Sequence, residues 1–240
     1  MPRTYLPILL LTVLSGCATT QNPDDPYEDF NRAMYDFNQG VDDYVAEPVT
    51  SAYQWVTPDF MQTGVSNFFN NLKGLNTVVN SVLQGKWQNS ASATGRLAVN
   101  SVIGLGGLFD VATPMGLEVD EEDFDQTLGV WGIDTGDYLV LPLFGPTTTR
   151  GIPGTVFDTA MNPATYIGVI PLQVMQVIDA RHQADGALNF VNEAALDPYI
   201  FTREAYLQWR DNLVRDGQAP PAEHTLDLYD EALFEEDFQD

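Results

Sequence analysis

The 240-residue chain has a single cysteine, Cys17, so no disulfide can form within it. Positive charge is also scarce, because 10 Lys and Arg stand against 34 Asp and Glu, for a formal net charge of −24. Nucleic-acid binding requires a basic surface, and so does simple electrostatic docking on anionic lipid. The acidic composition therefore argues against both kinds of binding. Because no disulfide can form within the chain, packing must stabilise the folded state.

The first apolar run is too short to cross a bilayer, which takes about 20 apolar residues. It covers residues 5–14, follows Arg3 and ends at small residues, the pattern of a secretory signal peptide. Leu14-Ser15-Gly16-Cys17 resembles a lipobox, so we expect cleavage before Cys17 and acylation of its thiol. The alternative is an ordinary signal peptide with an incidental cysteine. Ala18, by resemblance to sorted lipoproteins, implies an outer-membrane anchor facing the periplasm.

Charge is unusually sparse in the middle of the chain. Residues 60–117 contain one acid, Asp110, and three bases, Lys73, Lys86 and Arg96. A soluble domain carries about 25% charged residues, so this segment is either a buried core or a surface that faces lipid.

Apolar residues recur at helical spacing in several segments, including residues 30–41, 171–192 and 197–214. Residues 64–87 predict a long helix whose other face is polar but nearly uncharged. If that face points inward, we expect Asn70, Thr77, Asn80 and Ser81 to line a wet cavity. An ordinary globular helix is the alternative.

Small residues dominate the segment 88–117. Gly104, Gly106 and Gly107 predict a close approach of helices. Asn100, Ser101 and Asp110 argue against a spanning helix and favour an in-plane or re-entrant element covered by protein.

Catalytic and metal-binding motifs are incomplete. Asp134-Thr135-Gly136 occurs once, whereas aspartic proteases need two carboxylates, and Gly104-Leu105-Gly106-Gly107 lacks the lysine of a phosphate loop. The acids of residues 120–125 lack the ligand spacing of an EF-hand, which favours a solvated acidic loop over a calcium site. His182 and His224 are isolated, and no GxSxG elbow is present. We expect neither an enzyme nor a metal or cofactor.

Five separated stretches resemble the MlaA (VacJ) family of outer-membrane lipoproteins. They are DPYEDFNRAMYDFN (25–38), VSNFFNNL (65–72), GRLAVNSVIGLGGLFDVA (95–112), DFDQTLGVWGIDTGDYLVLPLFGPTTTR (123–150) and DPYIFTREAY (197–206). The resemblance implies an all-α fold, a ring of amphipathic helices lying in the inner leaflet, with a loop or hairpin insertion. It also implies transport of mislocalised phospholipid through an amphipathic channel.

The same resemblance implies partners and residue roles. The partners would be phospholipid, a trimeric porin and a soluble periplasmic lipid carrier. Asn67 and Phe68 would set the ring geometry, and Tyr138 to Arg150 would control the channel opening. Within that loop the expected residues are Tyr138, Leu141, Pro142, Gly145, Pro146 and Arg150. A scaffold lipoprotein that moves no lipid, and a lipid-modifying enzyme, are the alternatives.

These patterns divide the chain into four parts. Residues 1–16 form the signal peptide, residues 17–29 a lipidated tether, and residues 30–215 the helical channel domain. Residues 216–240 hold nine acids and no Lys or Arg, which predicts a disordered tail or a short acidic helix that docks on a partner.

Overall fold

The computed structural model describes residue 22 and residues 25–218. The described helices are α1 Glu28–Val41, α2 Glu47–Val56, α3 Asp59–Leu83, α4 Trp87–Val102, α5 Phe124–Val130, α6 Gly151–Met161, α7 Ile170–Ala194 and α8 Pro198–Val214. An antiparallel hairpin, β1 Tyr138–Leu141 and β2 Gly145–Thr148, lies between α5 and α6. The predicted helical fold with a hairpin insertion is confirmed. The signal peptide, Cys17 and residues 219–240 lie outside the described residues.

Two prolines in the first third of the chain act differently. Proline can interrupt helical structure because it lacks a backbone N–H and its ring clashes with the preceding turn. Pro58 does, since its extended backbone separates α2 from α3. Pro48 does not, because it lies in the first turn of α2, where its missing N–H is not needed. A π-helical turn, Asp42–Ala46, carries the chain from α1 into α2.

Helix α3 is the central element of the fold. It packs most extensively against α4, and it also contacts α5, α6 and α7. Gly85, with a φ of +77°, makes the tight turn between α3 and α4. Several polar residues of α3 are therefore buried, namely Gln62, Asn76, Thr77, Asn80 and Ser81.

The usual distribution of polarity is reversed in this molecule. Asn31, Asn80, Ser81, Thr127 and Thr148 are completely buried. Large apolar side chains are exposed on several helices, loops and the hairpin turn, among them Trp55 (88%), Val102 (79%) and Phe144 (76%). Extensive exposed apolar surface marks contact with a membrane or another protein. Among the described residues, no helix has both the length and the apolar content needed to cross a bilayer.

Two asparagines of α1 hold the hairpin. Asn31 Nδ2 donates to the Tyr138 carbonyl (3.0 Å), and its Oδ1 accepts from the Val140 N–H (2.9 Å). Asn38, two turns later, bonds in the same way to Leu141 O (2.9 Å) and Leu143 N (2.7 Å). The two asparagine side chains therefore take the place of a third strand. They form hydrogen bonds with backbone N–H and C=O groups on the edge of β1 that does not face β2.

The folded body begins earlier than the sequence boundary at residues 29 and 30. Asp25 is completely buried and accepts from Asn31 Nδ2 (3.0 Å), Arg203 Nη1 (3.1 Å) and the Tyr199 hydroxyl. The tether predicted for residues 17–29 must end before Asp25, because a buried carboxylate is held only where its partners are fixed. At the other end, Asp216 pairs with Lys86, so the body extends past residue 215.

Candidate functional site

The polar face of α3 opens on two adjoining cavities. The Asn100 cavity has a volume of about 310 Å³ and lies between α3, α4 and the loop after α4. The Asp158 cavity, of about 510 Å³, lies between α3, the segment 121–126, α6 and α8. Lys73, Thr77 and Glu121 line both, so the two spaces share one wall. The two cavities lie side by side along α3, and together they are called the α3 passage below.

The Asn100 cavity is lined mainly by amides and charged groups. Its wall consists of Asn67, Asn70, Asn71, Lys73, Gly74, Thr77, Ala93, Arg96, Leu97, Asn100, Asp110, Thr113, Glu118, Val119 and Glu121. Asparagine side chains are permanently polar without a net charge, so this wall solvates a polar group without fixing one sign of charge.

Asn100 and Arg96 of α4 shape the loop that closes this cavity. Asn100 Oδ1 accepts from the Val111 and Ala112 N–H groups (2.8 and 2.9 Å). Arg96 Nη2 pairs with Asp110 (2.6 Å). Burial alone would raise the pKa of Asp110, but hydrogen bonds from Thr113, Asn100 and Arg96 lower it to about 2. The loop is thus fixed by buried polar contacts rather than by apolar packing.

The Asp158 cavity has a more acidic wall. It consists of Lys73, Asn76, Thr77, Glu121, Glu122, Asp123, Gln126, Thr155, Asp158, Thr159, Asn162, Trp209 and Leu213. The Asp158 carboxylate accepts from the Phe124 N–H (3.2 Å) and from Asn80 Nδ2 (3.3 Å). Burial raises the pKa of Asp158 to about 6, and the described residues place no cation within 4.0 Å of its carboxylate.

A buried ionic network supports the far side of the Asp158 cavity. Arg150 Nε pairs with Asp125 (2.6 Å), and Arg210 of α8 pairs with both Asp125 (2.5 Å) and Asp123 (2.6 Å). Burial acts to raise the pKa of Asp123, but the Arg210 guanidinium outweighs it and the pKa is lowered. The network joins α5, α6 and α8, so breaking one pair would leave a buried charge uncompensated.

The acidic segment 120–125 is not the solvated loop that we expected. Glu122 and Asp125 are buried, and Lys86, Arg150 and Arg210 neutralise Glu122, Asp123 and Asp125. Part of the segment is α5, which Asp123 caps by accepting from the Gln126 N–H. In the part of the chain that the structure describes, no three His, Cys, Asp or Glu side chains are grouped to hold a metal ion.

Comparison with known proteins identifies the family. The family model for the MlaA lipoprotein matches residues 23–213. The chain belongs to the MlaA lipoprotein family. The matched segment begins at residue 23, two residues before the buried Asp25, so it begins at nearly the same place as the folded body.

MlaA proteins from two bacteria match most of this chain. A Shigella flexneri protein, the intermembrane phospholipid transport system lipoprotein MlaA, is 35% identical over 228 residues, 89% of each chain. The Haemophilus influenzae protein of the same name is 34% identical over 93% of this chain and 95% of its own. A solved structure from work on the structural basis for maintenance of bacterial outer membrane lipid asymmetry has a TM-score of 0.69 and 34% identity. It covers 79% of this chain and 98% of that one.

The α3 residues predicted to line a cavity separate into two groups. Asn67, Asn70 and Thr77 line the Asn100 cavity, and Phe68 is half-buried beside Phe69. Asn80 and Ser81 line neither cavity and are completely buried. Asn80 bonds to Asn76, Thr127 and Asp158, and Ser81 accepts from Asn89. This differs from the lining role that we expected, because neighbouring elements use their polar groups.

The three predicted packing glycines differ in what they do. At Gly107 a Cβ would lie 2.6 Å from Asn71 Cβ of α3, so the loop approaches that helix closely. At Gly104 a Cβ would lie 2.2 Å from the Phe109 carbonyl oxygen of its own loop. Gly106 has open space around it, and its φ of +75° is what favours glycine there.

The predicted gating residues form most of the hairpin. Tyr138 and Leu141 lie on β1, Gly145 and Pro146 lie on β2, and Pro142 is exposed in the turn. Arg150 lies apart from the turn, in the buried network with Asp125. The exposed tip is apolar, because Leu143 and Phe144 lie next to Pro142.

Sequence analysis missed the residues that fix these elements. Asp158, Asp123 and Arg210 are far apart in the chain, and nothing in their spacing predicts that they meet. A signal did exist for Asn31 and Asn38. Two asparagines seven residues apart on an otherwise amphipathic helix lie on one face, the arrangement needed to bond a strand.

Proposed function

We propose that this protein transports phospholipid, taking molecules misplaced in the outer leaflet of the outer membrane and passing them towards the periplasm. The observation that carries the proposal is the distribution of polarity: two adjoining cavities with polar and charged walls lie beside α3, while many large apolar side chains are exposed on the outside. The Shigella and Haemophilus relatives, named for intermembrane phospholipid transport, support it. The MlaA family is one of lipoproteins and not a known enzyme family.

The physical requirement for such transport matches this distribution. Moving a phospholipid headgroup through hydrocarbon is costly, since each polar group must keep its hydrogen bonds. A passage lined by asparagine, threonine and a few charges supplies those bonds, while apolar outer faces remain in lipid. In our proposal the helices lie in the plane of the inner leaflet, and Asn67, Asn70 and Thr77 border the route.

The finer arrangement also belongs to the proposal. Acylated Cys17 would anchor the chain to the outer membrane on its periplasmic face. Stable membrane attachment takes more than one acyl chain, and a lipidated cysteine of this kind carries more than one. A trimeric porin would hold the body, and a soluble carrier would receive the lipid, as the family resemblance implies. The hairpin with its apolar tip at Leu143 and Phe144 would control the opening.

The first prediction concerns lipid asymmetry in cells. Deleting the gene should raise the amount of phospholipid accessible to an outer-leaflet label, and the wild-type chain should restore the low level. Cys17→Ala should restore it poorly because the anchor is lost. Asn70→Trp should also fail, because its bulk fills the Asn100 cavity.

The control for added bulk is Gln88→Trp, at an exposed position of α4 that lines neither cavity. It should complement as well as the wild type. Unchanged lipid exposure after deletion would reject transport and favour a scaffold that binds porins or cell wall without moving lipid.

A further inference from the structure

One lysine differs from the other basic residues of the described chain. In each of the other lysines and arginines, a side-chain nitrogen lies within 4.0 Å of a carboxylate oxygen. These paired residues are Arg32, Lys86, Arg96, Arg150, Arg181, Arg203, Arg210 and Arg215. Lys73 has none among the described residues, although the chain carries 34 acids against 10 bases. An unpaired cation in so acidic a protein is available to an external anion.

Lys73 is located where the two cavities meet. It lines both, and so does Glu121, whose carboxylate forms no ion pair or side-chain hydrogen bond within the described residues. Thr77, the third shared residue, adds a hydroxyl to the same wall. The junction thus presents an exposed cation and an exposed carboxylate that lie more than 4.0 Å apart and are not paired with each other.

Most other charges along the passage are already neutralised. Arg96 is paired with Asp110, Glu122 with Lys86, and Asp123 with Arg210. The remaining free carboxylate of the Asn100 cavity is that of exposed Glu118, which lies on the same acidic segment as Glu121. Asp158 in the other cavity also lacks an ion-pair partner among the described residues, so Lys73 is the unpaired cation at the junction and Glu121 is the unpaired carboxylate that lines both cavities.

We infer that Lys73 and Glu121 form a binding site for a zwitterionic headgroup, one with a phosphate anion and a primary ammonium. Lys73 Nζ donates to the phosphate oxygens, and the Glu121 carboxylate accepts from the ammonium. The inference rests on the proposed transport of phospholipid and adds a preference to it. An anionic headgroup with no ammonium finds only the lysine, and the acidic wall repels its net charge.

Phosphatidylethanolamine and phosphatidylglycerol are the probes that test this preference. The full lipidated chain in detergent is offered an equal mixture of the two, and bound lipid is counted by native mass spectrometry. We expect phosphatidylethanolamine to be bound about three- to fivefold more, the size of effect a solvated ion pair provides.

Two variants should shift the bound ratio in opposite directions. Lys73→Gln should lower the bound amount of phosphatidylethanolamine by about threefold and that of phosphatidylglycerol by more, so the ratio of the first to the second rises, because only the repelling carboxylates remain. Glu121→Gln should bring the ratio towards one. Lys73→Arg should keep the wild-type ratio. Arg215→Gln removes one positive charge outside both cavities and should change neither quantity.

The outcomes separate this inference from the transport proposal. If the wild type binds no phospholipid, the proposed function fails. If it binds phospholipid but neither Lys73→Gln nor Glu121→Gln moves the ratio, with folding unchanged by circular dichroism, only the headgroup site is overturned. Inorganic phosphate alone, monitored by ³¹P NMR, should show no broadening that depends on Lys73. Such broadening with an unchanged lipid ratio would assign Lys73 to free phosphate instead.

Discussion

At the scale of single residues, the interior of this protein is held by polar groups that each have several partners. Asn31 joins α1 to β1 and to Asp25, and Asn100 joins α4 to the loop at 110–112. A buried amide that loses its partners costs about 1–3 kcal/mol, so each of these positions tolerates little change. Because much of the apolar surface lies outside, these hydrogen bonds stabilise the interior in place of part of a hydrophobic core.

Asp158 gives a prediction about pH at this scale. Its pKa of about 6 in the folded protein lies above the usual 3.8, so the folded state binds a proton before the unfolded state does. Its contribution to stability is therefore largest below pH 4 and is lost as the pH rises through 6. Asp158→Asn should gain stability relative to the wild type between pH 4 and pH 7, by about 1–2 kcal/mol after allowing for solvent screening.

Thermal unfolding followed by circular dichroism over that pH range measures the difference. Asp134→Asn, at an exposed position, is the control and should follow the wild type at every pH. Parallel curves for Asp158→Asn and the wild type would mean that Asp158 ionises in the folded protein as it does in the unfolded chain.

At the scale of elements, the contact between the glycine loop and α3 can be tested by adding one methyl group. Gly107→Ala should destabilise the protein through both its φ of +95° and the overlap with Asn71, about 2–4 kcal/mol in all. Gly106→Ala is the matched control, because its φ is also positive but nothing lies within 4 Å of the new carbon. It should cost only about 1 kcal/mol.

Chemical denaturation of both variants gives the two costs, and their difference measures the close approach. Equal losses would show that backbone conformation alone explains the glycine at 107. The same measurement bears on Asn67, which bonds to the loop at Leu108, and on Asn71, which bonds to Ser101 at the end of α4.

The helices were largely predictable, and the roles of their faces were not. The 3.6-residue period of α1, α3 and α8 is a local property, so sequence alone located these elements. Which part of the polar face of α3 meets a cavity depends on where α5 and α6 pack. Thr127 and Asp158 lie 47 and 78 residues after Asn80, and only the fold reveals that they cover it. The position of Arg150 in a buried network was missed for the same reason.

At the scale of the whole molecule, the extensive exposed apolar surface is of the kind that contacts a membrane or another protein. Sequence analysis anticipated this from the charge-poor segment 60–117, but it could not distinguish a buried core from a lipid-facing surface. In the structure Phe69 and Asn80 are buried while Phe60 and Val102 are exposed, so the segment is neither all core nor all surface. Residue type alone could not separate buried from exposed positions, because the buried residues of this protein are more polar than the exposed ones.

The last prediction tests that membrane contact apart from the lipid anchor. In a Cys17→Ala background, Trp87→Asp should lower the partition coefficient onto phospholipid vesicles by about tenfold, since a large exposed indole would no longer enter the interface. Gln88→Asp adds the same charge at the next exposed residue and should leave partitioning nearly unchanged. Both substitutions fall in the first turn of α4, where aspartate favours the helix dipole, so helix stability is matched between them. Vesicle flotation measures the partition coefficient, and equal partitioning of the two variants would place Trp87 away from lipid and assign the exposed apolar surface there to a protein partner.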